Sequence, residues 1–110
     1  MSIATANINA GVCGFVTEVA ATSDDGQTVS LSVTSNCEKI QALGEALPSA
    51  VDAYAEIGAG FDGQVLSTAR TVLSGCCAGC VVPAGVFKAM QVAARLALPA
   101  PAGIELQKGN

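Results

Sequence analysis

Residues 12–37 read VCGFVTEVAATSDDGQTVSLSVTSNC, two largely apolar runs on either side of a polar DDG loop. In the second run, Val29, Leu31 and Val33 alternate with Ser and Thr, which is typical of a half-buried strand. The first run also places an apolar set on one face, with Thr17 as its exception; the set is Cys13, Phe15, Val19 and Ala21. The stretch therefore predicts an antiparallel hairpin with strands near 12–21 and 28–37.

The turn predicts the register of this hairpin. Asp24, Asp25 and Gly26 suit a three-residue loop with Gly26 in the left-handed conformation. If Ser23 faces Gln27, then Cys13 faces Cys37, and directly opposed Cβ atoms lie about 4.5–5.5 Å apart. A loop of two residues would place the two apolar sets on opposite faces of the sheet. We therefore expect Cys13 and Cys37 to meet at the open end of the hairpin, on the core face.

Four helices are expected after the hairpin. Ser35 and Asn36 can cap a helix over 37–47, which Pro48 ends. Ser49 can cap a second, short helix that carries Val51, Tyr54 and Ile57. A third helix is predicted over 65–73, and Pro83 lies near the start of a fourth, where its missing N–H costs nothing. The fourth helix has an apolar stripe formed by Val86, Met90, Ala93, Ala94 and Ala97.

After Pro99 and Pro101, residues 103–108 (GIELQK) predict a short last strand on an edge of the hairpin. The chain of 110 residues is expected to form one domain, 1–110. Its predicted class is α+β, with an N-terminal antiparallel hairpin, three or four helices on one sheet face and a short C-terminal strand.

The composition excludes several classes of function. Apolar residues make up 51% of the chain and charged residues 13%, which argues against disorder and favours a homo-oligomer that buries apolar surface. The net charge is −4 and the five basic residues are scattered, so nucleic-acid binding is not expected. No segment is apolar enough to span a membrane, and residues 1–12 lack a signal-peptide pattern. We expect a cytoplasmic protein with reduced thiols.

The five cysteines indicate the site. Cys77-x-x-Cys80, within the stretch GCCAGCVVPAG at 75–85, can turn two thiols toward one ion, and the following helix N-terminus favours thiolate. Cys13 and Cys37 would supply two more ligands. Four thiolates without histidine fit a zinc site, a [4Fe–4S] cluster or a [2Fe–2S] cluster. Cys76 is a spare thiol or an alternative to Cys77.

The leading interpretation is a small protein that binds an iron–sulfur cluster or a metal ion and serves electron transfer or metal trafficking. A structural zinc site in a module that binds a protein partner is an alternative. A metal-free thiol redox protein is another, although the usual strand context of thioredoxin is missing. Cys13 and Cys37 would be plain core residues if none of these interpretations holds.

Catalytic residues are not predicted. The chain has no histidine, which excludes Ser–His and Cys–His nucleophiles. Asp52 and Glu56, four residues apart, could act as an acid–base pair, but a solvated helix face explains them better. The pattern favours a binding protein over an enzyme.

Four segments carry a resemblance to a family: NAGVCGFVTEVAA (9–21), SNCEKIQALGEAL (35–47), VDAYAEI (51–57) and CCAGCVVPAGVFKAMQVAARLALP (76–99). They resemble small proteins of unknown function from strict anaerobes, among them sulfate reducers and methanogens. The resemblance covers nearly the whole chain. It implies a reducing cytosol, which favours iron–sulfur over zinc, and it implies no activity.

Overall fold

A computed structural model describes residues 1–76 and 79–109. Its regular elements are four strands and four α-helices. The strands are β1 (Ser2–Asn9), β2 (Val16–Ser23), β3 (Thr28–Ser35) and β4 (Ala50–Asp52). The helices are α1 (Glu38–Ala46), α2 (Ala53–Ala59), α3 (Gln64–Val72) and α4 (Val82–Ala93), with short 3₁₀ turns at Gly11–Cys13 and Gly60–Asp62. The α+β class is confirmed.

The strands form one antiparallel sheet in the order β1-β2-β3-β4. Side chains on its inner face are buried, among them Ala4, Val19 and Val29, while the outer face is exposed. α1 packs on β3, α4 packs on β1 and β2, and α3 lies against both helices. The core is therefore a single layer between one sheet face and the helices.

The hairpin is present, but its predicted register is wrong by two residues. Val19 pairs with Val33 and Thr17 with Ser35, instead of Val19 with Leu31. Gly26 has the expected positive φ, 76°. The loop is longer because Asp25 Oδ1 accepts hydrogen bonds from the N–H groups of Gln27 and Thr28, at 2.9 and 2.8 Å. A shift by two residues keeps every side chain on its face, so the apolar pattern could not reveal it.

Strand β1 was not predicted. Its inward residues are Ala4, Ala6 and Ile8, and an apolar residue, Ile3, faces outward. Alanine has low strand propensity, so the alternation is weak. The strand pairs with β2 along its whole length, from Ser2 opposite Ser23 to Asn9 opposite Val16.

The predicted helices over 37–47, 65–73 and after Pro83 are confirmed as α1, α3 and α4. The second helix begins later than expected. Val51 lies in β4, and Asp52, rather than Ser49, caps α2 by accepting a 3.0 Å hydrogen bond from the N–H of Ala55. An acceptor side chain at the N-cap position satisfies an N–H of the first turn, and Asp does this at least as well as Ser.

The predicted strand over 103–108 is not confirmed, since residues 101–109 form neither helix nor strand. α4 ends at Ala93, so Ala97 of the predicted apolar stripe lies beyond it. Arg95 follows at φ 64°, and the N–H of Leu96 donates to the carbonyl of Gln91 at 2.8 Å, which closes the helix. From Arg95 to Gly109 every residue is exposed.

None of the helices within the described ranges has the length and apolarity that crossing a bilayer requires.

Candidate functional site at the cysteine end

The topology brings the cysteine-bearing segments to one end of the sheet. β1 ends and β2 begins there, and the pairing of Thr17 with Ser35 places the end of β3 beside them. The first turn of α4 lies at the same end, because a Cβ on Gly85 would lie only 2.3 Å from Ile8 Cδ1. We call this region, formed by the β1–β2 connection, the β3–α1 junction and the segment that enters α4, the cysteine end.

Cys37 lies in the β3–α1 junction and is held by a polar network around the buried Ser35 side chain. Ser35 Oγ accepts hydrogen bonds from Thr17 Oγ1 at 2.9 Å and from the N–H of Cys37 at 3.1 Å. The same hydroxyl donates to the carbonyl of Val16 at 3.3 Å, and Asn36 Oδ1 accepts from the N–H of Val16 at 3.0 Å. The junction is thereby tied to the start of β2, and Cys37 is half-buried against the core.

Cys13 lies in the 3₁₀ turn of the β1–β2 connection and is exposed. The turn begins and ends with glycines at positive φ, Gly11 at 85° and Gly14 at 75°. Asn9 Oδ1 accepts from the N–H of Gly11 at 2.9 Å, which fixes the entry to the turn. The prediction that Cys13 is a core residue opposite Cys37 in a strand pair is therefore wrong, because β2 begins only at Val16.

The other described cysteines flank the entry to α4. Cys76 is exposed, and its N–H donates to the carbonyl of Leu73 at 3.0 Å, in the turn that follows α3. Cys80 is half-buried and packs against the core directly before α4. Cys77 lies outside the described residues. Cys13, Cys37 and Cys76 carry free thiols.

Two helix N-termini face this end of the domain, and a cysteine is close to each. Cys37 is the N-cap residue of α1, and Cys80 comes just before Val81, the N-cap residue of α4. Neither N-cap side chain accepts a hydrogen bond from its helix. Helix N-termini carry partial positive charge and free N–H groups, both of which favour thiolate and other anions.

The described cysteines lie on segments that meet at one end of the sheet, but their thiols do not form a closed site. Across 1–76 and 79–109, no three side chains of His, Cys, Asp or Glu lie close enough together to hold a metal ion. The donor set itself suits zinc or an iron–sulfur cluster, because both are bound by cysteine thiolates alone.

The carboxylates Asp52 and Glu56 both have structural roles as helix caps. Asp52 caps α2, and its Oδ2 accepts from Gln27 Nε2 at 2.7 Å. Glu56 is only 3% exposed, so the expected solvated helix face is wrong for this residue. Its carboxylate accepts from the N–H groups of Gln64 and Val65, at 3.1 and 2.7 Å, and thus caps α3 from a neighbouring helix.

The Thr17–Ser35 network was not predicted from the sequence, although the sequence carries a signal for it. Thr17 is the one polar residue on an otherwise apolar strand face, and such a residue needs a buried partner. The two helix N-termini at the cysteine end were not apparent either, because the direction of α4 across the sheet depends on tertiary packing.

The comparison with known proteins gives a family but no function. A family model described as "Family of unknown function (DUF6951)" matches residues 4–106. No curated protein and no solved structure matches the chain. The match covers β1 from Ala4 onward, the other three strands, all four helices and the cysteine end. The chain belongs to the DUF6951 family of unknown function.

Proposed function

We propose that this protein binds an iron–sulfur cluster or a metal ion through Cys13, Cys37, Cys77 and Cys80. The observation that carries the proposal is topological. Cysteine-bearing segments that are up to 67 residues apart in sequence (13 to 80) converge on one end of the sheet. Five thiols in a chain of 110 residues without histidine favour a thiolate site over structural disulfides in a reducing compartment.

The electrostatics of the cysteine end support an anionic ligand set. The N-termini of α1 and α4 offset part of the negative charge that four thiolates carry. A cluster with thiolate ligands also gains from N–H donors near its sulfurs. Binding of a metal ion or cluster would draw the β1–β2 connection toward the entry of α4, because the described thiols do not already lie together.

The role that we assign to such a site is electron transfer or metal trafficking in a reducing cytosol. The resemblance to proteins of strict anaerobes favours iron–sulfur over zinc. Cys13 lies on the exposed turn, so a group bound there would lie near the surface. A surface group can exchange electrons with, or be passed to, a partner protein.

A metal-free thiol redox protein is the second candidate. The specific observation in its favour is the Cys77-x-x-Cys80 spacing, which dithiol redox proteins also use. In this candidate Cys77 and Cys80 cycle between dithiol and disulfide by exchange with the disulfide or dithiol of a partner protein.

The test is anaerobic purification of the full chain, followed by an absorption spectrum and by iron, acid-labile sulfide and zinc analysis. A broad absorption band at about 400 nm together with acid-labile sulfide would support a cluster. A colourless protein with one zinc per chain would support a zinc site and move the function toward partner binding. A metal-free protein with five free thiols would overturn the proposal and favour the redox candidate.

Single Cys→Ser variants locate the ligands. We expect Cys13→Ser, Cys37→Ser, Cys77→Ser and Cys80→Ser each to lower the bound metal, and Cys76→Ser, the matched control, to retain it. If Cys76→Ser loses the metal and Cys77→Ser retains it, the ligand is Cys76.

A further inference from the structure

The C-terminal arm, residues 96–109, is exposed apolar chain. Leu98, Ile104 and Leu106 are 89%, 71% and 90% exposed. The whole molecule is 49 Å long but only 27 and 25 Å across. A strand of eight residues spans about 26 Å, so the sheet and helices account for little more than half of that length. Beyond Leu96 the arm therefore projects from the domain, and its own chain leaves Leu98, Ile104 and Leu106 uncovered.

The sequence of the arm is that of a stiff spacer followed by a strand. Pro99 and Pro101 favour extended backbone and exclude helix. Beyond them, Ile104 and Leu106 alternate with Glu105 and Gln107, which is the period of a strand with one apolar face. The family match continues through Leu106 and so includes Ile104 and Leu106.

The sheet offers an edge that can accept such a strand. β1 is the outermost strand, is eight residues long and pairs with β2 without a bulge. It contains no charged residue and no proline, although edge strands usually carry these as protection against pairing. The opposite edge is β4, whose three residues are too few to hold the arm.

We propose that the arm of one copy adds residues 103–107 as a fifth strand to β1 of a second copy. The second copy is the occupant because the arm projects away from its own domain and because its spacer, 96–102, extends for about 20 Å. Main-chain hydrogen bonds supply the pairing, as in other cases of strand addition. Ile104 and Leu106 continue the inner face beside Ala4 and Ile8, and Glu105 lies on the outer face.

The full-length protein is tested by sedimentation equilibrium over a range of protein concentrations. The expected species is a dimer of twice 10.9 kDa. The double variant Ile104→Asp with Leu106→Asp should sediment as a monomer, with an unchanged circular dichroism spectrum, because both side chains are exposed. Leu98→Asp is the matched control: this residue is as exposed as the other two but lies in the spacer, so the dimer should persist.

Charge reversal tests the edge that receives the arm. Thr5→Glu with Asn7→Glu places like charge opposite Glu105 and should weaken the dimer, and adding Glu105→Lys should restore it. A wild-type protein that is monomeric up to its solubility limit would overturn the proposal. A dimer that survives the Ile104→Asp and Leu106→Asp changes would also overturn it, because association would then use another surface, such as direct β1–β1 pairing.

Discussion

Thr17 and Ser35 are directly paired across β2 and β3, and their side-chain hydroxyls share a buried hydrogen bond of 2.9 Å. This pair lies at the open end of the central hairpin and holds the junction that carries Cys37. Because Ser35 Oγ also accepts from the N–H of Cys37, the position of one cysteine of the candidate site depends on a network within the sheet.

Ser35→Ala should lower the free energy of unfolding by about 1–3 kcal/mol, since it leaves the Thr17 hydroxyl and the Cys37 N–H without their buried partner. Urea denaturation measures the change. Thr34→Ala, on the exposed face of the same strand, is the control and should change stability by no more than about 0.5 kcal/mol. Equal effects of the two variants would contradict the role of the network.

Glu56→Ala should destabilise the domain by about 1.5–3 kcal/mol, because two N–H groups at the start of α3 lose a buried carboxylate acceptor. The control is Glu45→Ala, at an exposed position of α1. Thermal and urea unfolding of both variants provide the comparison. A loss no larger than that of Glu45→Ala would show that Glu56 does not cap α3.

Gly85→Ala should cost about 1–2 kcal/mol through overpacking, since the added Cβ would lie 2.3 Å from Ile8 Cδ1. Gly58→Ala in α2, where the Cβ meets no atom within 4 Å, should be neutral or stabilising. In a double-mutant cycle, Ile8→Ala should relieve much of the cost of Gly85→Ala. Additive effects would mean that the first turn of α4 does not rest on the end of β1.

The free energy of unfolding should fall at acid pH, because the carboxylates of Asp25 and Asp52 become protonated. Backbone N–H donors, first that of Gln27 and then that of Thr28, lower the pKa of Asp25. The N–H of Ala55 and then the Gln27 side chain lower the pKa of Asp52. A carboxyl whose pKa is lower in the folded state stabilises the fold above its unfolded pKa, about 3.9, and this contribution is lost as the pH falls through the folded value.

The measurement is the urea midpoint between pH 5 and pH 2, compared for wild type, Asp25→Asn and Asp24→Asn. The decline below about pH 4 should be shallower in Asp25→Asn, because one titrating group is removed. Asp24→Asn keeps the hydrogen bonds of Asp25 and should follow the wild type. If all three profiles coincide, the turn does not contribute to the acid sensitivity.

The sequence predicts the fold class and three of the four helices where apolar periodicity, proline and capping residues agree. The prediction fails where one sequence pattern fits more than one structure. Period-two alternation fixes which face Val19 and Val33 occupy but cannot distinguish register shifts of two residues. The inward residues of β1 are mostly alanine, so its own residue pattern does not indicate a strand. Pairing with β2 stabilises it instead.

The prediction that Cys13 and Cys37 lie at one end of the sheet rested on a partly wrong reason. Cys13 and Cys37 lie at the same end of the sheet, as expected, but Cys13 is in a turn and not in a strand pair. The Asp25 turn lengthens the loop, and hydrogen bonding of this kind cannot be read from hydrophobic pattern. The orientation of α4, which places Cys80 at this end, follows from close packing of Gly85 on Ile8.

The most direct test of the central claim is the metal and sulfide content per chain of the anaerobically purified protein, measured side by side for wild type, Cys13→Ser and Cys76→Ser. We expect a bound metal or cluster in wild type, its loss in Cys13→Ser and its retention in Cys76→Ser. Cys13 is exposed, so its replacement removes a thiol without disturbing the core. Equal metal content in wild type and Cys13→Ser, or no metal in either, would contradict a thiolate site built from the converging segments.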